Sequence, residues 1–100
     1  MKLNVYSVFD AATKAFMRPF FMQSDGQAIR AFSDLCNDRK HDLGRHPEDY
    51  SLMRIGVWDD QNAEFVGEVP DNLLLGVQAK ERALPAGSLA ANEEVEEEDG

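Results

Sequence analysis

The stretch that decides the fold is residues 46–60, HPEDYSLMRIGVWDD. A turn with Pro47 precedes a run from Tyr50 to Trp58 that is rich in β-branched, aromatic and long apolar residues, which suit a pleated strand. With a period of two, one face carries Met53, Ile55 and Val57, and the other carries Tyr50, Leu52, Arg54 and Trp58. Because both faces are apolar, the pattern predicts a central strand that is covered on both sides.

Two strand patterns and a helix pattern precede this stretch. Residues 2–10 alternate as a strand, and residues 15–22 form a second strand in which Pro19 indicates an edge position or a bulge, because proline has no N–H for the ladder. Ser24 and Gln27 are spaced as a capping box and open a helix predicted over 24–38. The apolar stripe of this helix is Ala28, Ile29, Phe32, Leu35 and Cys36.

A polar connection at 39–48 leads to the strand at 50–58. A turn then leads to a strand at 63–67, and a short helix follows at 72–81, weakened by Gly76. The order ββαββ predicts an α+β fold, in which a small antiparallel sheet carries one long helix on a face and a short C-terminal helix follows. Residues 1–88 are expected to form one domain. Whether the strands that flank the long helix are parallel or non-adjacent stays open.

The charge is concentrated in a predicted disordered tail at 89–100. Six carboxylates between Glu93 and Asp99 account for most of the formal net charge of −9 and leave −3 for the rest. Such a segment repels itself and does not pack. It serves either solubility or interaction, in which case it competes with DNA for a basic surface or docks on a basic partner.

The alternation of apolar residues on both faces of the predicted strands indicates a homodimer. One long helix covers one sheet face, so the second face would keep an apolar area that is unusual on a monomer. We expect this interface to contain Tyr6, Phe16, Phe20, Leu52 and Trp58. The alternative is that the short C-terminal helix covers the face completely.

Catalytic, metal and cofactor sites are not expected. The sequence has no Gly-rich phosphate loop, nucleophile elbow or usable metal spacing, so a non-enzymatic protein without cofactors is predicted. His41 and His46, with Asp42 and Glu48, are typical of a solvated loop and not of a metal centre. Cys36 lies on the apolar helix stripe and is expected to be a buried core residue. With no apolar run of membrane-spanning length and no export signal, a reducing cytoplasm is expected.

The one basic cluster is the candidate nucleic-acid contact, and it consists of Arg39, Lys40, Arg45 and His46. Its cations would release counterions from phosphates, and Tyr50 or Trp58 would stack on bases of a single strand. The alternative is a solvated patch that offsets the C-terminal helix dipole.

Several segments resemble the small nonstructural protein of gokushoviruses, which are tailless phages of the Microviridae with circular single-stranded DNA. They are residues 1–10 (MKLNVYSVFD), 18–21 (RPFF), 28–32 (AIRAF), 46–50 (HPEDY) and 56–59 (GVWD). The resemblance covers about residues 2–80. It implies a role in the host bacterial cytoplasm, as a DNA-binding protein or a factor that supports single-stranded genome synthesis.

Three functional hypotheses follow. The first is a viral accessory protein that binds the viral replication initiator, the host helicase or procapsid proteins and favours single-stranded DNA synthesis and packaging. The second is a direct single-stranded DNA-binding protein that uses the 39–46 loop. The third is an acidic decoy that mimics DNA for a host protein.

Overall fold

Five strands and three helices form residues 1–83, the part of the chain that the computed structural model describes. They are β1 (Lys2–Asp10), β2 (Ala15–Phe16), β3 (Phe20–Met22), α1 (Asp25–Cys36), α2 (Asp42–Arg45), a 3-10 turn (Pro47–Asp49), β4 (Tyr50–Asp59), β5 (Glu64–Leu75) and α3 (Gly76–Ala83). The α+β class and the antiparallel sheet are confirmed. The predicted boundary at residue 88 and the acidic tail at 89–100 lie outside the described residues.

β1 and β4 are the two central strands of the sheet. β2 and β3 both pair with one edge of β1, β4 pairs with its other edge, and β5 pairs with the far edge of β4. All of these pairs are antiparallel, so the predicted central position of the 50–58 strand is confirmed. The strands that flank α1 in the chain do not pair with each other, because β1 lies between β3 and β4.

The predicted ββαββ order is wrong in two places. The second strand is broken into β2 and β3, because the chain leaves the ladder around Pro19. The connection after α1 contains α2 and the 3-10 turn. In addition, α1 is shorter than the long helix predicted to reach residue 38. Asn37 ends it, with a side-chain amide that donates to the Ser33 carbonyl at 2.7 Å.

The boundary between β5 and α3 also differs from the prediction. β5 continues through Pro70 to Leu75, and α3 begins only at Gly76. Pro70 does not start a helix, because β5 is an edge strand and the missing N–H there breaks no ladder bond. The register changes between Arg54 and Gly56, where residues 68–70 of β5 have no paired residue on β4. This irregularity is a β-bulge at the edge of the sheet.

The hydrophobic core lies between the helices and one sheet face, called here the covered face. Its members are Tyr6, Val8, Ala28, Phe32, Cys36, Leu43, Leu52, Leu74 and Ala79. All three helices contribute to this cluster. The Ser24 cap is confirmed, since the Ser24 hydroxyl accepts from the Gln27 N–H at 3.3 Å. The burial of Cys36 is confirmed as well.

The predicted dimer interface is divided between the two sheet faces. Tyr6 and Leu52 are fully buried in the core, and Phe20 packs against it. Phe16 and Trp58 lie on the opposite face. Two irregularities explain the error: Ile55 is an extra residue between the paired Arg54 and Gly56, and the break between β2 and β3 shifts the register against β1. A one-residue insertion moves every following side chain to the other face.

Candidate functional site

The basic residues predicted to contact nucleic acid lie in the connection between α1 and β4. The Arg45 guanidinium forms an ion pair with Asp42 and donates to the Lys40 carbonyl at 2.9 Å. His46 Nδ1 lies 3.9 Å from Glu48 Oε2. Arg39 and Lys40 are exposed. The four residues lie in one segment, as the sequence places them. Two of them, Arg45 and His46, have an acidic neighbour.

The electrostatics of this segment are set by its carboxylates. The pKa of Tyr50, which starts β4 beside it, is raised first by burial and then by Asp10, Asp42 and Asp49, while Arg45 alone lowers it. A phosphate approaching the segment would meet the same three carboxylates. The predicted nucleic-acid contact stays a prediction, and this charge arrangement counts against it.

The two aromatics predicted to stack on bases do not form one site with the basic segment. Tyr50 packs against the core on the covered face. Trp58 lies eight residues further along β4, which is about 26 Å in an extended strand. The basic segment and Trp58 are therefore at opposite ends of the sheet. This separation follows from the strand predicted at 50–58, so it could have been read from the sequence.

The histidines have separate surroundings. His41 Nδ1 accepts from the Leu43 N–H at 3.2 Å and caps α2. His46 lies with Glu48 and Asp49, and one ligand atom from each falls within 4.8 Å of the others. His46 and Glu48 are exposed, and such groups commonly occur without an ion. The prediction that the chain has no metal site stays a prediction.

A polar network on the covered face was missed by the sequence analysis. The Tyr6 hydroxyl donates to Asp25 Oδ1 at 2.7 Å, and Arg54 Nη1 donates to Asp25 Oδ2 at 2.7 Å. Arg54 also lies 3.4 Å from Asp71 and 3.8 Å from Glu68. Its hydrogen bond with Asp25 is the main reason that the pKa of Arg54 is raised. The network joins the start of α1 to β1, β4 and β5.

The second sheet face, called here the open face, consists of uncharged residues. Residues paired across antiparallel strands project to the same side. The pairs on this side join Leu3, Val5, Ser7, Phe9, Phe16, Phe21, Ser51, Met53, Gly56, Trp58, Phe65, Gly67, Asn72 and Leu75. Every charged residue in the paired positions lies on the covered face instead. The open face thus carries no charge in its paired positions, and the charged paired residues lie on the covered face beside the apolar core.

Aromatic rings form a layer on the open face. Phe9 and Phe16 lie 4.9 Å apart between ring centroids at one end, and Phe21 meets Trp58 edge-on at 6.2 Å at the other. The Phe65 ring covers Gly56, where an added Cβ would lie 3.1 Å from Phe65 Cζ. Phe16, Phe21 and Phe65 are 46%, 47% and 50% exposed. The layer is therefore organised by its own contacts and remains accessible.

Two grooves flank the covered face. One has a volume of about 250 Å³ and is almost entirely apolar, lined by Val8, Phe20, Met22, Ala31, Phe32 and Leu35. The other has a volume of about 280 Å³, lined by Lys2, Val57, Asp59, Glu64 and Val66. The first runs between α1 and β3, where the short edge strand leaves the helix partly uncovered.

Comparison with known proteins identifies the family to which the chain belongs. Among residues 1–83, none of the helices has the length and apolar character needed to cross a membrane. Neither the curated proteins nor the solved structures contain a significant match to the chain. A family model does match, over residues 3–79, and its description is Phage ORF5 protein. Since this match covers most of the sequence, the chain belongs to the Phage ORF5 protein family.

Proposed function

We propose that the chain is a non-enzymatic phage accessory protein that supports single-stranded DNA genome synthesis and packaging by binding replication or assembly proteins. The family places the chain among phage proteins. The resemblance to the gokushovirus nonstructural protein supports the narrower role. The partners to be tested are the viral replication initiator, the host helicase and the procapsid proteins, all of which meet in the host cytoplasm.

The observation that carries this proposal is the charge around the 39–49 segment. Its cations are accompanied by carboxylates, and Arg45 is already paired with Asp42. Nucleic-acid affinity depends on free cations that displace counterions from phosphates. Proteins that bind DNA carry such cations, and the carboxylates of this segment complement them. The segment therefore suits a DNA-binding protein as its partner better than DNA itself.

The titratable core residues support a non-enzymatic role. Burial raises the pKa of the Cys36 thiol to about 11 and is also the main reason that the pKa of Tyr6 rises to about 12. Both groups are protonated at neutral pH, and a protonated thiol is a poor nucleophile. Both side chains are also fully buried, Tyr6 on β1 and Cys36 at the end of α1, so neither is open to a substrate.

The first test is binding to a labelled single strand of about 30 nucleotides, measured by fluorescence anisotropy at about 50 and about 200 mM salt. We expect negligible binding at either salt concentration. Binding that falls by tens-fold as salt rises, and that is abolished by charge reversal at Arg39 and Lys40, would overturn the proposal in favour of direct DNA binding.

The second test addresses the protein partner. Each candidate partner is purified and titrated against the labelled chain, and the same titration is repeated with the double variant Asp42→Asn, Asp49→Asn. We expect one candidate to bind, with an affinity that falls several-fold in the variant. A variant in which Asp59 and Asp60, at the far end of β4, are changed to Asn is the matched control and should bind normally. Equal loss in both variants would mean that net charge acts, as the decoy hypothesis requires.

A further inference from the structure

The open face lacks the charges expected of a solvated sheet face. In an antiparallel sheet with helices on one side, the helix-covered face is normally apolar and the solvated face polar. Here the covered face contains Arg54, Asp71 and other charged residues, whereas none of the paired residues on the open face is charged. Three half-exposed phenylalanines on one face are unusual for a surface that stays in water.

The open face is large enough for a specific interface. A fully covered aromatic side chain buries about 150–250 Å², so Phe16, Phe21 and Phe65, each half-exposed, offer about 100 Å² apiece. The exposed parts of Met17 and Leu75 and the partly buried rings of Phe9 and Trp58 raise the total to about 600 Å². Two such faces would bury about 1,200 Å², which reaches the lower limit of stable protein interfaces.

The absence of charge in the paired positions of the open face indicates which kind of partner fits it. A nucleic acid needs a row of cations beside the stacking rings. None of the paired residues here supplies one, and the exposed Arg18 in the connection between β2 and β3 is one charge only. An anionic membrane surface needs the same cations. An uncharged face suits a two-fold contact between identical chains, because a charged residue near the axis would meet its own copy at close range.

We propose that the open face is a homodimer interface, in which the sheets of two copies pack face to face through their aromatic layers. Sheets in such an arrangement lie about 10 Å apart. A two-fold axis that lies in the plane between the sheets and oblique to the strands places the Trp58–Phe65 corner of one copy over the Phe9–Phe16 corner of the other. Within each layer, the Ser7 hydroxyl donates to the Met17 carbonyl at 2.6 Å and the Phe65 ring covers Gly56, so these two positions lie below the contact surface. This inference concerns a surface distinct from the 39–49 segment and does not rest on the function proposed above.

Sedimentation equilibrium of the full chain tests the proposal directly. The chain has a mass of 11.2 kDa, and we expect twice this mass at micromolar concentrations. Phe65→Glu places a carboxylate at one end of the layer, and Phe16→Glu places one at the other end. Each variant should raise the dimer dissociation constant by at least about 100-fold, since burying an unpaired charge is unfavourable. Val77→Glu on α3, where Val77 is 42% exposed, is the matched control and should leave the dimer intact.

A second measurement keeps the result clear if a variant fails to fold. Trp58 is the single tryptophan of the chain and lies in the layer, so its emission should shift to longer wavelength when the wild-type dimer is diluted into monomers. A wild-type mass of one chain at about 100 µM would overturn the proposal. A dimer that survives both phenylalanine variants in folded form would overturn it as well.

Discussion

The covered and open faces of the sheet differ in what contacts their side chains: helices pack on the covered face, whereas the open face is exposed. On the covered face, α1 buries Tyr6 and Leu52 completely, and Asp25 at the start of α1 pairs with Arg54. On the open face, the phenylalanine rings contact one another and stay half-exposed. The difference teaches that charge alone does not mark the solvent side of a sheet. A charged residue is tolerated under a helix when the helix supplies its partner, and an apolar face is tolerated in water when a second surface covers it.

The largest expected contrast comes from removing one phenylalanine from each face. Phe32→Ala on α1 should lower the free energy of unfolding by about 3–5 kcal/mol, because it leaves a cavity in the core. Phe65→Ala on the open face should lower it by less than about 1 kcal/mol when measured on the monomer at low concentration. Urea unfolding followed by circular dichroism measures both. Similar losses in the two variants would mean that the open face is also packed within one chain.

A smaller contrast comes from the glycines in the first turns of α1 and α3. A Cβ at Gly76 would lie 2.1 Å from the Pro47 carbonyl oxygen, so Gly76→Ala should destabilise the chain by about 1–3 kcal/mol despite the better helix propensity of alanine. At Gly26 the nearest atom is 3.9 Å away, and Gly26→Ala should stabilise the chain by up to about 1 kcal/mol. Glycine at position 76 lowers the helix propensity of α3, but it is needed because a larger residue would keep α3 from packing against Pro47. Opposite signs in thermal unfolding midpoints would confirm this, and a gain at both positions would contradict it.

The next effect tests the network beneath α1. Tyr6→Phe removes the hydroxyl that donates to Asp25, and we expect a loss of about 1–2 kcal/mol at neutral pH. The pKa of Tyr6 is raised from 10.0 to about 12, so the folded state favours the protonated form. The corresponding stability is fully present below about pH 10 and is lost as the pH rises towards 12.

Unfolding free energies at several pH values between about 8 and 11 check this linkage. The wild type should lose more stability than Tyr6→Phe above about pH 10, because the variant has no hydroxyl to ionise. Parallel pH profiles in the two proteins would show that the Tyr6 hydroxyl is not held by the core.

The smallest effect concerns Cys36. Cys36→Ala removes one buried sulfur and should cost about 1 kcal/mol. The pKa of the thiol is raised to about 11, since burial disfavours the thiolate. Alkylation of the native protein at about pH 8 should therefore be at least about 100-fold slower than that of the urea-unfolded chain. Rapid labelling of the native protein would mean that α1 opens readily from the covered face.

The candidate site was only partly predictable. Arg39, Lys40 and Arg45 are neighbours in sequence, and so are the carboxylates that surround them. Which cation pairs with which carboxylate depends on α2, whose single turn places Asp42 against Arg45. The network of Tyr6, Asp25 and Arg54 joins residues that are 19 and 29 positions apart, so local patterns gave no signal for it.

Local sequence patterns were enough to predict β1, β4, the capped start of α1 and the edge position of the segment that contains Pro19. These features depend on side-chain alternation, local capping and the missing proline N–H, which act within a few residues. Which side chains share a sheet face depends on strand pairing and could not be predicted from these patterns. A strand's alternation has a period of two, so the extra residue at Ile55 and the break before Phe20 each reverse the faces beyond them. Such bulges are defined by hydrogen bonds to a partner strand, and that partner is known only once the chain has folded.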